Sequence, residues 1–460
     1  MKKSLVRKYL FALIAFVLLA GTVYQPVRAQ AAAPIDTTAE AAILVDAKTG
    51  RILYEKNADK LMGIASMTKM MTEYLLLEAI SEGRVKWDDT YTISPELVQM
   101  SRDRALSNVY LRAGGSYTVR ELYEAMAIHS ANAATVAIAE IIAGTEANFV
   151  NMMNKKAKEL GLEKYYFVNS TGLDNRSMSK YFDSFVGDID DENEMSAKDV
   201  ARLAFHLLKD YPEVLETSSI PIKYFKDGDQ RMDNWNWMLE GYGDPQYAKD
   251  AQNYQQFVYR GMDGLKTGRT AYAGSCFTGT AERDGQRYIS VVMKTNNNHE
   301  RFHETRKIMD YAFNNFTVEE FVGKNKSVPG KETLPVAKGK EKQVKIVAKE
   351  ALTLPVKRGE AQDYKVVLKL DKSKLNENGE LTAPVKKGEK VGTLTIVPVD
   401  EKQADLKFLT KDGEKYITVD VVAGEDVEKA NWFILMLRGI GGFFSDLWGS
   451  ITSTVKGWFD

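Results

Sequence analysis

Residues 42–46 and 51–54 are apolar runs on either side of a glycine-containing turn at Ala47–Gly50, which predicts a hairpin of two strands. From Ser66 to Ile80 the apolar positions recur with a helical period, and Gly83 supplies a stop. Residues 118–143 read as helix, broken around Ile128 to Asn132, and 146–160 as an amphipathic helix ending at Gly161. Ser196 is a candidate N-cap for a helix reaching about Lys209. Strand signals return at 275–281 and 287–293, joined through Asp284-Gly285, a hairpin dipeptide. A last helix is expected from about Arg301 to Phe313, with Asn296–Asn298 as a loop before it. Helices set between early and late strands predict an α/β unit in which a sheet is flanked by helices.

The pattern changes after about Thr317. Lys, Glu, Val and Thr alternate, as in 343–347 and 364–368, and glycine and proline punctuate the runs. This predicts a small β-rich domain ending near Gly424, with no catalytic cluster in it. In 425–460, Trp432, Phe433, Met436, Ile440, Phe443, Phe444, Leu447, Trp448, Ile451, Val455, Trp458 and Phe459 fall on one helical face. The charges Arg438, Asp446 and Lys456 and several glycines argue against a spanning helix. A helix lying in the membrane interface is the expectation. The other end carries an export signature. Lys2, Lys3, Arg7 and Lys8 precede an apolar run at 10–20, and Val27-Arg28-Ala29 supplies a cleavage site, so 1–29 is read as a signal peptide.

At 460 residues the chain has room for two or three domains, and 44% hydrophobic content allows a sizeable core. A net charge of −1 sets up no field that would point to nucleic acid as a partner. Cys276 is the single cysteine, so no internal disulfide forms; its strand-like surroundings suggest a small buried core residue. The acidic stretch 174–194 reads as a solvated surface loop; calcium binding is the weaker alternative, because its acids do not follow an EF-hand spacing.

Three short motifs carry the candidate chemistry. Ser66-Met67-Thr68-Lys69 places a serine and a lysine three residues apart at the start of an apolar helix, on one face and within mutual reach. A serine hydroxyl needs a base to take its proton, and a neutral lysine serves. Taken alone, Ser66 also reads as a residue near a helix N-cap. Ser130-Ala131-Asn132 and Lys266-Thr267-Gly268 follow in that order. The trio matches the S-x-x-K, S-D-N and K-T-G set of penicillin-binding proteins and class A β-lactamases, with Ala131 in place of the central Asp. His299-Glu300-Arg301-Phe302-His303 is a literal H-E-x-x-H. The loop expected before it, Arg301 between the histidines and the lack of a third ligand argue against zinc.

With these motifs the chain resembles the low-molecular-mass penicillin-binding proteins of the serine D-alanyl-D-alanine carboxypeptidase family, and among them the bacillus-like members that carry an anchor. The resemblance implies a penicillin-binding-protein/serine β-lactamase-like transpeptidase domain at 35–315, with an antiparallel five-stranded sheet flanked by helices. A small all-β domain at 318–424 and the amphipathic helix 425–460 follow. It implies removal of the terminal D-alanine from peptidoglycan pentapeptide stems through an acyl-enzyme on Ser66, with β-lactams as covalent inhibitors and no cofactor or metal. Lys69 takes the serine proton and Ser130 relays one to the leaving group. Asn132, Lys266, Thr267 and Gly268 hold the substrate, Arg301 assists with its carboxylate, and the backbone N–H groups of Ser66 and Arg269 form the oxyanion hole. Export and the tail imply the outer face of the cytoplasmic membrane. Two rivals remain open: a β-lactamase, although no Glu-x-x-Leu-Asn element lies between Ser130 and Lys266, and a membrane-tethered β-lactam sensor or wall-binding module.

Overall fold

The computed structural model describes residues 35–226, 228, 230–247, 249–250, 252–400 and 406–436, all within one compact unit. The signal segment 1–29 and most of the tail 425–460 lie outside the described residues.

An antiparallel five-stranded sheet organises the first part. Its strands are β1 (Ala41–Asp46), β2 (Ile52–Lys56), β3 (Met262–Thr270), β4 (Gly274–Arg283) and β5 (Gln286–Thr295), in the order β3-β4-β5-β1-β2. The chain thus closes the sheet by setting β5 against β1, with Ile43 opposite Val291 and Val45 opposite Ile289. All six residues of β1 are buried, because both faces of the sheet are covered. Ile43 and Val45 point into one apolar core with Val200, Phe205 and Met293, while Ala42 and Leu44 point into another with Phe302, Ile308 and Met309. The Asp284-Gly285 turn between β4 and β5 holds both residues at positive φ, 52° and 76°, as a two-residue hairpin turn requires.

The helices are α1 (Lys69–Ser81), α2 (Val119–His129), α3 (Asn132–Ala143), α4 (Glu146–Glu159), α5 (Ala197–Asp210) and α6 (Asn298–Asn315). α5 covers one face of the sheet and α6 the other. Helices α2 and α3 build a separate apolar core with Leu76, Leu97 and Leu111. Capping follows the sequence: Thr118 and Glu121 form a reciprocal capping box, and Ser196 accepts from the Asp199 N–H. α6 departs from expectation. Asn296 and Asn297 lie in the loop as expected, but Asn297 accepts from the N–H groups of His299 and Glu300 and so starts the helix at Asn298, three residues early.

After α6 the described residues up to Ala423 are built on β-strands joined by short 3-10 turns. Strand Phe316–Val322 pairs with Leu352–Lys357. A second sheet runs Tyr364–Leu370, Lys390–Pro398, Thr418–Ala423, Gln343–Ala348, Thr333–Ala337 and Leu381–Thr382. Leu334, Val344, Ile346, Leu354, Leu394 and Val421 form its apolar core. This part returns to the first sheet. Ile52 donates its N–H to Lys407 O at 2.8 Å and Leu409 donates to Gly50 O at 2.9 Å, alongside the start of β2. Arg51 reaches across to Pro355 O and, at 2.5 Å, to the Tyr364 hydroxyl.

Candidate active site

The nucleophile turn is built by a left-handed residue and two tight backbone contacts. Ala65 holds φ 48°, and Ala65–Thr68 makes one 3-10 turn before α1 begins at Lys69. Ser66 therefore does not cap the helix. It sits on the turn, three residues before Lys69 as the motif requires. Gly268 of β3 approaches from one side, where an added Cβ would lie 2.5 Å from Ile64 O. Gly172, at φ +81°, approaches from the other, where a Cβ would lie 1.9 Å from Ala65 O.

Lys69 is 1% exposed, and its Nζ donates to Ser66 Oγ at 3.0 Å, Asn132 Oδ1 at 2.8 Å and Thr171 O at 2.7 Å. Burial and the nearby Lys266 cation hold the Lys69 ammonium well below the ordinary lysine range, with Glu146 opposing. A lysine so placed gives up its proton readily and has the serine hydroxyl within hydrogen-bond reach.

Ser130 ends α2 in the left-handed conformation, φ 59° and ψ 30°, which turns its hydroxyl out of both flanking helices. Lys266 Nζ donates to that hydroxyl at 2.9 Å. Burial brings Lys266 down to about 7, with the Glu73 carboxylate opposing and the Arg301 cation adding to the shift. The three motifs thus supply two serine–lysine pairs that face one site.

A cavity of about 280 Å³ opens on these groups, lined among others by Ser66, Ser130, Thr267, Gly268, Arg269 and Arg301. Lys69, Asn132 and Lys266 lie beneath it. Asn132 is committed within the protein: Oδ1 accepts from Lys69 and Nδ2 donates to Ser107 O at 3.0 Å, which leaves one amide hydrogen for a substrate. Arg301 lies under β3 and donates to Gly268 O at 3.2 Å, with its Nε unpartnered. The Arg269 side chain is exposed at the rim. The cavity also includes Ala105, Ser107, Trp235 and Asn298, which no local pattern marks. Trp235 donates to Ser107 Oγ at 3.1 Å and His129 O at 3.2 Å, fixing its indole as a wall.

The H-E-x-x-H residues do lie on a helix, which starts within the loop expected before them. His299 and His303 pack against Phe257, with ring centroids 5.2 and 5.5 Å away. Glu300 accepts from Thr38 Oγ1 at 2.6 Å and from the Asn296 N–H at 2.8 Å. Among the described residues no group of three or more His, Cys, Asp or Glu is placed to hold a metal. Cys276 is buried, and burial pushes its thiol up to about 11, which makes it a poor nucleophile.

A serine hydrogen-bonded by a buried lysine, with a second serine–lysine pair across the cavity, is the arrangement of serine acyl-transfer enzymes of the penicillin-recognising fold. The chain belongs to the D-alanyl-D-alanine carboxypeptidase family, whose model matches residues 27–297, and residues 316–429 match the C-terminal domain of penicillin-binding protein 5. It is 32% identical to the D-alanyl-D-alanine carboxypeptidase DacF of Bacillus subtilis (strain 168), over 88% of this chain and 89% of that one. Its fold is similar to that of PBP3 from Streptococcus pneumoniae, with TM-score 0.72 and 34% identity over 85% of this chain and 100% of that chain. It is also similar to Listeria monocytogenes penicillin-binding protein D2 in its ampicillin-bound form, with TM-score 0.50 and 33% identity over 61% of this chain and 99% of that one.

Proposed function

We propose that this D-alanyl-D-alanine carboxypeptidase works through an acyl-enzyme on Ser66, with Lys69 as the base. The observation that carries this reading is the Lys69 Nζ–Ser66 Oγ contact of 3.0 Å at a lysine whose burial favours its neutral form. The substrate is the D-Ala-D-Ala end of a peptidoglycan pentapeptide stem. Lys266 and Thr267 hold its terminal carboxylate, with the Arg301 charge below them, and Asn132 bonds the peptide amide through its remaining hydrogen.

Ser66 Oγ attacks the carbonyl carbon between the two D-alanines as its proton passes to Lys69. The carbonyl oxygen takes up negative charge opposite the N–H groups of Ser66 and Arg269, where Gly268 lets β3 approach the turn. Ser130, bonded to Lys266, passes a proton to the departing D-alanine nitrogen. The C–N bond breaks, and water then hydrolyses the ester to release the shortened stem and free Ser66. A β-lactam follows the same attack but keeps its leaving group tethered through the opened ring.

Labelled penicillin on the purified protein tests the assignment. Wild type is expected to take one label and Ser66→Ala none; equal labelling of the two would sink it. D-alanine release from a synthetic pentapeptide separates the enzyme from a sensor that labels without turning over.

For location, the reading is an exported protein, processed after about Ala29 and held on the outer face of the cytoplasmic membrane by 425–460. Trp432, Phe433 and Met436, at the described start of that segment, are 74%, 50% and 42% exposed, which supports an apolar face available to lipid. Deleting 425–460 is expected to move the enzyme from the membrane to the soluble fraction.

A further inference from the structure

Lys69 is held in place by two acceptors besides Ser66: Asn132 from α3, and the carbonyl of Thr171 from the turn 169–172. The turn is knitted internally by Asn169 Oδ1, which accepts the N–H groups of Thr171 at 3.1 Å and Gly172 at 2.7 Å. Those bonds shape it without fixing it to the helices. Thr72 Oγ1 of α1 donates to Ser170 O at 2.8 Å, and Asn193 Nδ2 donates to Asn169 O at 2.7 Å. The charged anchor is Glu146. Its Oε1 accepts from the Ser170 N–H at 2.7 Å, and its Oε2 accepts from Ser170 Oγ at 3.0 Å.

Glu146 opens α4 directly after the Thr145 N-cap, a place where an acid commonly faces solvent and complements the helix dipole. Here its carboxylate turns inward under the turn instead. Burial lifts it to about 7, the two Ser170 bonds oppose that rise, the Glu140 carboxylate on α3 adds to it and the Lys69 cation on α1 opposes it. Lys69 in turn faces Lys266 from β3.

We propose that Glu146 is a positioning residue for Ser66 acylation: through Ser170 it sets where the Thr171 carbonyl holds the Lys69 amine, and its charge sets how firmly Lys69 keeps a proton. The inference rests on Lys69 being the base for Ser66. Glutamine at this position separates the two roles. Its carbonyl oxygen still accepts from the Ser170 N–H and its amide donates to Ser170 Oγ, so the turn is kept while the negative charge is lost. Alanine loses both.

The experiment is the rate of acylation by labelled penicillin across pH 5–9 on the full chain, for wild type, Glu146→Gln and Glu146→Ala. Glu146 ionises near pH 7, inside this window, and only where it is charged does it hold the proton on Lys69, so Glu146→Gln should carry the part of the acid limb above about pH 7 roughly one pH unit lower. Its plateau should stay within about threefold of wild type. Glu146→Ala, which removes the charged anchor and leaves only the Thr72 and Asn193 bonds to hold the turn, should lose on the order of 10²-fold at the plateau. Where alanine does not fold, Glu146→Asp, too short to reach both Ser170 groups, takes its place with the same expected loss. The inference is overturned if glutamine leaves the acid limb in place, or if the folded alanine or aspartate variant keeps the wild-type plateau. A wild type that takes no label overturns the reading of Ser66 and this inference together; a labelled wild type with an unmoved limb in Glu146→Gln overturns this inference alone.

Discussion

The two parts of the chain are both built on antiparallel sheets, yet they treat charge in opposite ways. Residues 35–315 bury Lys69, Lys266, Glu73, Asp199, Arg202 and Arg301, among others. Among the described residues after Thr305, every residue in the buried class is apolar. The β-rich part is rich in lysine and glutamate too, but it keeps them outside the core. Burying a charge costs stability unless it is paired. Part of that cost is paired off locally, as in the Asp199–Arg202 ion pair; part falls at the cavity, where two depressed lysines act on each other and on two carboxylates raised to about 7. The difference separates a region arranged for proton transfer from one arranged only to pack.

The comparison breaks most visibly at Lys69. Lys69→Met should lower D-alanine release by about 10²–10⁴-fold, the range of a lost general base. It should leave the melting temperature unchanged or raised, because a buried ammonium has been replaced by an apolar chain of similar length. A large drop in melting temperature would instead make the buried charge a structural support.

The mirror test lies in the other core. Leu394 is fully buried among the β-rich strands, and Leu394→Ala should cost about 2–5 kcal/mol by thermal or urea unfolding. Penicillin labelling of Ser66 should be unchanged under native conditions. A fall in labelling would mean that the β-rich core supports the site and that the contrast is not one of function against packing.

A subtler effect concerns Lys266. Its folded value of about 7 lies below the ordinary 10.5. Between those values the unfolded chain holds a proton that the empty folded site has released, so this residue's contribution to stability rises with pH there. A bound carboxylate restores the proton. Ser66→Ala titrated calorimetrically with a D-Ala-D-Ala peptide, in two buffers of different ionisation enthalpy, should show uptake of about half a proton at pH 7. Affinity should weaken as pH rises further. Binding without proton uptake would show that Lys266 is already fully charged in the empty site.

The smallest expected effect is at the surface of the β-rich part. Lys324 and Glu350 form an ion pair 3.1 Å apart, both 59% exposed. Lys324→Ala should shift stability by no more than about 0.5 kcal/mol by urea unfolding. A larger loss would mean that the outside charges of this region do more than keep it soluble.

Much of the contrast was legible in the sequence. Ser66-x-x-Lys69, Ser130-x-Asn132 and Lys266-Thr267-Gly268 are local spacings, and local spacing survives folding because a helix turn or a strand fixes it. The alternation after Thr317 likewise announced a packed β unit. Contacts between distant segments were not legible. Glu146 looks like an ordinary first-turn acid until Ser170 is set beside it, and Trp235, Ser107 and Asn298 meet the cavity from separate loops. The early start of α6 was missed because asparagine serves both as a loop residue and as a cap, and only the bonds made by Asn297 decide between them. Ser66 read as lying near a helix cap because nothing local announces that Gly172 and Gly268 press the preceding turn into a 3-10 shape.

The return of the β-rich part to Gly50 and Ile52 has a consequence for solubility. β2 is the outermost strand on its side of the five-stranded sheet, and the run from Lys407 to Leu409 occupies hydrogen-bonding positions at its start. An uncovered strand edge is a template for pairing with a second molecule. A fragment ending at residue 315 would keep every motif of the cavity, yet it would bare that edge together with the apolar surface beneath it. The β-rich part therefore shields the start of its neighbour's edge strand.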